Sequence, residues 1–168
     1  TTHRERDLAD LAPRAVQTGA RLSAELPLQG LAFQPGWRRQ EVSLADALLL
    51  GRERDRMMGY TGVGPHRADW SVALTGLPGR EALSRGQTKL TALALLLAQA
   101  ADYATRQGHW PVIALDDLPS ELDRDHQRRA LDFLLAQPNL QLFVTATEIP
   151  AALKEQGFDY RLFHVEQG

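Results

Sequence analysis

The sequence predicts an α/β chain: a parallel-sheet lobe over residues 59–168, preceded by a mainly helical segment over residues 1–58. Three observations carry this. Pro111 to Leu115 and Leu140 to Thr145 are near-continuous apolar runs of strand length, as strands buried on both faces require. Between them, Asp123 to Gln137 carries Leu131, Leu134 and Leu135 at the spacing of a helix that buries one face. Strand, helix and strand in that order form a parallel pair with a right-handed crossover.

Thr2-His3-Arg4-Glu5 has the form of a capping box. The stripe Leu8, Ala12, Ala15, Gly19, Leu22 and Leu26 steps by fours and threes along the helix that follows. Ala and Gly on this seam permit a close partner, in an ordinary core-covering contact or in a coiled-coil-like arm. Pro27 and Gly30 end the helix, and Gly30 to Trp37 reads as a short strand and turn. Ser43-Leu44-Ala45-Asp46 opens a second helix to about Met57, whose tail Arg52 to Arg56 alternates in charge like a solvated face. Gly59, Gly62, Gly64 and Pro65 then punctuate the chain, and a domain boundary is expected there. Trp70 to Thr75 alternates as a strand, with Gly76 to Gly79 a turn. Residues 88–104 are apolar on nearly every side, the pattern of an interior helix. Asp125 and Arg129 are spaced to pair on the later helix, and Tyr160 to Val165 reads as a last strand.

Composition narrows the function. Lys and Arg total 19 against 21 Asp and Glu, a formal net charge of −2, so any nucleic-acid contact must be a local patch. The absence of Cys excludes disulfides and thiolate metal sites, and it fits a cytoplasmic setting. The longest apolar run, Leu90 to Ala98, is far too short to cross a membrane. The first residue is Thr, as expected of a piece cut from a longer protein. His3, His109, His126 and His164 show no metal-ligand spacing, and Trp37, Trp70 and Trp110 no stacking pattern.

Two strings carry chemistry. Leu83-Ser84-Arg85-Gly86-Gln87-Thr88-Lys89 heads the apolar helix. Free N–H groups and the positive helix end favour an anion there. Ser84 adds a hydroxyl, Gly86 allows close backbone approach and Lys89 adds charge. Taken alone, Ser84 is explained as an N-cap. The second string is Leu115-Asp116-Asp117-Leu118-Pro119-Ser120-Glu121-Leu122-Asp123. Acids at the end of an apolar strand stand where parallel sheets collect ligands, and neighbours on a strand face opposite ways. Asp116 suits a Mg²⁺ held through its water shell beside phosphates, and Asp117 suits orienting or deprotonating the attacking water. Ser120 to Asp123 is a capping box, a turn along a subunit interface, or both. A hydroxyl at Thr145, after the next strand, is placed to sense a terminal phosphate. His66 and Arg67, in Gly64-Pro65-His66-Arg67, are open to phosphate contact or to a structural role. No Gly-x-x-x-x-Gly-Lys-Ser/Thr string occurs in the chain.

Over residues 60–150 the chain resembles the C-terminal half of the RecF family, DNA replication and repair proteins that are ABC-type ATPases akin to SMC proteins. The likeness rests on Gly64 to Trp70, Leu83 to Lys89, Leu115 to Asp123 and Phe143-Val144-Thr145-Ala146, in that order and spacing. Residues 1–58 match only in general character, as part of a helical lever arm. The resemblance implies that Ser84, Arg85, Gly86, Gln87 and Lys89 are the signature that closes on ATP held by another subunit. It also implies that Asp116 is the Walker B metal acid, Asp117 the hydrolytic acid, and Ser120 to Asp123 the D-loop. Glu is usual where Asp117 stands, and the shorter acid implies slow, switch-like turnover. Pro119 and Thr88 depart from the expected residue types. The family implies ATP and Mg²⁺ as cofactors and an ATP-dependent homodimer on double-stranded and gapped DNA. Its implied partners are RecR, with RecO and RecA, and no membrane. Without a Walker A loop the chain is not expected to hydrolyse ATP alone. The residues leave open a fragment of another ABC-type nucleotide-binding domain, though a transporter would carry His where Thr145 stands. They also leave open a non-enzymatic interaction domain.

Overall fold

The first helix, α1 (Thr2–Leu22), turns Ala15, Gly19 and Leu22 of the expected seam into the core, with Thr18 buried beside them. The structure, a computed structural model, describes residues 2–76, 83–155 and 159–165. At Gly19 a Cβ would lie 3.2 Å from both Leu26 and Leu28 side chains, so the small residue lets the next segment fold back against the helix. That segment is β1 (Leu28–Gln34). Helix α2 (Leu44–Met58) follows, with Ser43 accepting from the Asp46 N–H and Gly59 closing the helix in the left-handed region. Strand β2 (Asp69–Leu74) pairs antiparallel with β1, with a bulge between Leu28 and Gly30.

Between these strands lies a tight crossing. Gly36 has φ +86°, and a Cβ there would sit 2.2 Å from the Gly64 carbonyl oxygen. The Gly64 N–H donates to the Gly36 carbonyl at 3.0 Å, which ties the Gly64–Arg67 loop to the turn after β1. Only glycine satisfies both demands at position 36.

Helix α3 (Arg85–Gln107) is the longest element and packs along α1. Ala15, Ala94 and Ala98 are fully buried in the core the two helices share, and these small side chains let the backbones approach. The outer ends are clamped by charge: Arg106 reaches Asp102 at 2.7 Å, Asp7 at 3.6 Å and Asp10 at 3.7 Å, and Arg14 reaches Asp102 at 3.4 Å. Strand β3 (Ile113–Leu115) leads through the single turn α4 (Leu118–Glu121) into α5 (Arg124–Leu135). The chain then runs parallel to β3 as β4 (Leu142–Val144), with Ile113 opposite Leu142 and Leu115 opposite Val144. A short helix, α6 (Ala151–Glu155), packs its Ala152 with Leu118 and Leu131. Leu22, Leu131 and Leu134 are fully buried, each contributing roughly 2 kcal/mol of transfer free energy.

The β3–α5–β4 unit is the parallel crossover the sequence predicts. Other expectations are corrected. Residues 88–104 are not interior on every side, because Leu96 is 64 % exposed. The strands are not buried on both faces: Val112 is 61 % exposed and Phe143 51 %, since α3 and α5 cover one side of the sheet and no described element covers the other. Leu135 is only half-buried, with Phe133 taking the deeper place. Asp125 and Arg129 form no ion pair, their side chains lying in solvent. Tyr160 to Val165 forms no strand with any described residue, and Phe163 and Val165 stand exposed. Leu77 to Gly79 of the expected turn lie outside the described residues. No described helix is long and apolar enough to cross a membrane.

Residues on either side of position 59 share this packing, through the β1–β2 pair and the α1–α3 contact. Helix α2 stands apart. It buries only Ala47 and leaves Leu49, Leu50, Met57 and Met58 exposed.

Candidate nucleotide-site half

The tip of α3 is built by local hydrogen bonds. Ser84 Oγ accepts from the Gln87 N–H at 3.2 Å, and the Gln87 Oε1 accepts from the Ser84 N–H at 3.0 Å, a complete capping box. Thr88 Oγ1 donates to the Ser84 carbonyl at 3.0 Å, which occupies the position where the sequence departs from the expected type. Ser84, Arg85 and Gly86 are exposed, and a Cβ on Gly86 would meet nothing within 4 Å. The tip is thus rigid yet open, with backbone accessible for a close approach from outside.

Lys89, one turn further on, bonds Glu121 Oε2 at 2.7 Å. This contact joins α3 to α4. Between them lies a cleft of about 210 Å³, lined by Ser84, Gly86 and Gln87 on one side and by Glu121, Leu122, Asp123 and His126 on the other. Ser23, Glu25 and Leu26, just past α1, close its third wall. Two strings more than thirty positions apart therefore meet at one surface recess.

The acids lie at the other end of α4. Strand β3 stops at Leu115, so Asp116 and Asp117 occupy the turn beyond it, and alternation along a strand does not set their directions. Asp117 sits in the left-handed region at φ 45°, ψ 45°, a conformation that Asp tolerates better than most residues. Thr145, past the end of β4, welds the turn: its N–H donates to the Leu115 carbonyl at 2.9 Å, its hydroxyl donates to Asp116 Oδ1, and it accepts from the Asp117 N–H at 2.9 Å. The Thr145 hydroxyl is thereby fixed beside the carboxylate of Asp116. The Asp117 carboxylate makes no hydrogen bond among the described residues, and the Ser120 N–H donates to the Asp117 carbonyl at 3.0 Å.

Asp123 caps α5. Its Oδ1 accepts from the His126 N–H at 3.0 Å and its Oδ2 lies 2.6 Å from His126 Nδ1. These contacts, the backbone bond first and the side-chain bond second, hold its carboxyl below the ordinary carboxylate range. The folded state therefore gains stability from the ionised acid above the ordinary carboxylate pKa, and loses it as pH falls through the lowered value. Asp123→Ala is expected to cost about 1 kcal/mol at neutral pH. Asp123→Asn should keep the cap while removing its part of the acid sensitivity. Denaturant unfolding at neutral pH and below about pH 4 measures both. Equal acid sensitivity in the Asn variant would overturn the assignment.

No group of three or more potential metal-binding side chains occurs among the described residues. A closed protein cage for a cation is not what the turn offers. One carboxylate, Asp116, oriented by a threonine hydroxyl, fits instead a Mg²⁺ that keeps most of its water and takes its remaining oxygens from phosphate.

Several cleft residues escape the sequence reading, among them Ser23, Glu25 and His126. His126 was grouped with scattered histidines, although its spacing of three from Asp123 is a cap-and-partner signal. Glu121 falls within the Ser120 to Asp123 string, but nothing in that string singles out its pairing with Lys89. The Gly64–Arg67 loop stands outside the cleft. Its His66 Nε2 lies 3.0 Å from the Thr61 carbonyl, Arg67 Nε donates to the same oxygen at 3.2 Å, and the Arg67 guanidinium stacks on Tyr60 at 5.0 Å.

No family model matches the chain. Individual relatives do. It is 62 % identical over 166 residues to the DNA replication and repair protein RecF of Stenotrophomonas maltophilia, covering 99 % of this chain and 45 % of that protein. With RecF of Xanthomonas euvesicatoria it is 58 % identical over 168 residues, covering 100 % and 45 %. With RecF of Saccharophagus degradans it is 40 % identical over 142 residues, covering 82 % and 38 %. Among solved structures, one described as the recombination mediator protein RecF-ATPrS in RecFOR pathway matches with TM-score 0.69 and 25 % identity, over 86 % of this chain and 40 % of that one. Its RecF-ATP counterpart matches with TM-score 0.66, also at 25 % identity, over 88 % and 40 %. The chain spans a little under half the length of the curated relatives it matches. Its mixed helix–strand fold, with the parallel β3–β4 pair, is that of a lobe of an ABC-type ATPase head. The chain belongs to the RecF family of DNA replication and repair proteins.

Proposed function

We propose that this chain is the C-terminal lobe of an ATP-dependent DNA clamp, with part of its lever arm. In this reading the lobe presents its signature to ATP held by a second copy of the protein. The cleft between Ser84–Gln87 and Glu121–Asp123 carries the reading, because it gathers the two strings an ABC-type dimer needs on one face. The capped, open tip of α3 offers N–H groups and the positive helix end to the terminal phosphates of the partner-bound nucleotide. Arg85 adds charge, and Ser120 and Asp123 line the same contact. A hydrated Mg²⁺ beside Asp116 would neutralise developing phosphate charge. Asp117, its carboxylate uncommitted, orients the attacking water and takes its proton. Thr145 keeps the two acids in register.

The arm–head division is proposed at residues 1–58 and 59–168, with α2 as the projecting part of the arm. The complete protein then closes as a dimer on double-stranded or gapped DNA, acts with RecR, RecO and RecA in the cytoplasm, and reopens when ATP is hydrolysed. Relatives solved with ATP and ATPrS support nucleotide binding by the complete protein. Analytical sedimentation of the complete protein should show a monomer with ADP and a dimer with ATP and Mg²⁺. A mass independent of nucleotide would sink the proposal.

A further inference from the structure

We propose that Glu121 is a positioning residue: its ion pair with Lys89 sets the place of the D-loop relative to the signature tip. This rests on the reading of residues 84–89 and 120–123 as one half of a shared nucleotide site. Helix α3 is long and anchored along its length by Leu90, Thr91, Ala94 and Leu97. The α4 turn is the opposite case. It is a single turn, held at its start by buried Leu118 and entered through the left-handed Asp117. Its far end, Glu121, is exposed and has one described side-chain contact, the 2.7 Å bond to Lys89. Beyond it Leu122 packs half-buried on the core, its N–H donating to the Leu118 carbonyl at 3.3 Å and its carbonyl accepting from Gln127 Nε2 at 2.6 Å, and Asp123 caps α5. Lys89 is therefore a side-chain strut between the long helix and the exposed end of a short turn.

Both partners are about half exposed, with side-chain accessibilities of 46 % and 54 %. Exposed pairs of this kind contribute little to stability, so the consequence of the contact is geometric. Ser120, next to Glu121, faces the partner subunit in this reading, and its place relative to the signature tip shifts if the end of the turn swings, while Asp123 stays fixed by its cap. The pair also gives Lys89 a different task from the one its position in the string implies. Its ammonium is aimed at α4 and is not free for a phosphate.

A double-mutant cycle in the complete protein tests this. Lys89→Met, Glu121→Gln and the double variant are compared for ATP-dependent dimer affinity, with Ser84→Arg alongside. Each single variant is expected to weaken dimerisation about tenfold, and the double variant by no more than either single, because the pair acts as one unit. ATP binding by the monomer and the thermal midpoint should stay unchanged in all three. If Lys89 instead contacts phosphate directly, Lys89→Met is defective while Glu121→Gln is not, and the inference falls. Additive effects of the two substitutions overturn it as well. If Ser84→Arg leaves dimerisation intact, the reading of the cleft fails and takes the inference with it. If Ser84→Arg abolishes dimerisation while Glu121→Gln changes nothing, only the role of Glu121 is lost.

Discussion

Ser84→Arg in the complete protein should weaken ATP-dependent dimerisation at least about a hundredfold, roughly 2.7 kcal/mol, while the monomer still binds ATP. The effect has two parts of different size. Removing the hydroxyl that accepts from the Gln87 N–H frays the first turn of α3, at about 1 kcal/mol. The larger part is steric. Ser84 lines a recess of about 210 Å³ against Glu121 to Asp123, and a guanidinium on a long stem fills much of the space that the proposed dimer gives to the partner-held phosphates. Ser84→Ala separates the parts, because it loses the cap and keeps the space. It should reduce dimer affinity by no more than about tenfold. Sedimentation with ATP measures dimerisation, and nucleotide titration of the monomer provides the control. Undiminished dimerisation of the Arg variant would show that the α3 tip does not face a partner.

What the sequence made legible divides by distance along the chain. Ser84 with Gln87 and Ser43 with Asp46 are each three residues apart, and capping chemistry reads directly from such spacing. The α1 seam was legible because period alone fixes which residues share a helix face. The contacts that assemble the site are of another kind. Thr145 bonds Asp116 across 29 positions, and Lys89 meets Glu121 across 32, so only the packing of α3, β3 and β4 brings them together. Burial was misjudged for a related reason. Leu96, Val112 and Phe143 are apolar, but apolarity marks what a surface is suited to meet, and no described element covers these side chains. Tyr160 to Val165 shows the same limit for strands. Alternation and β-branched or aromatic residues suit a pleat, yet a strand exists only where a neighbour supplies hydrogen bonds.

Asp117→Asn should lower ATP turnover by the dimer about a hundredfold to ten-thousandfold, while dimers form with ATP as before and persist longer. The backbone argument makes Asn the informative choice. Asp117 occupies the left-handed region, where Asn is nearly as well accommodated as Asp, so the turn from β3 into α4 should hold. Its N–H still donates to Thr145 Oγ1, and the Ser120 N–H still finds the carbonyl of residue 117. Only the uncommitted carboxylate is lost. Asp117→Ala would add backbone strain of about 1 kcal/mol to the missing acid and confuse the two. Asp116→Asn makes a contrast of a different sort. It keeps an oxygen that can accept from the Thr145 hydroxyl but removes the charge expected to face a hydrated cation, so it should weaken Mg²⁺-dependent nucleotide binding as well as turnover. Single-turnover phosphate release by the complete protein, read together with dimer lifetime, separates the acids. If Asp117→Asn turns over at the unsubstituted rate while Asp116→Asn does not, the water is activated from elsewhere, and Asp117 serves only to shape the turn.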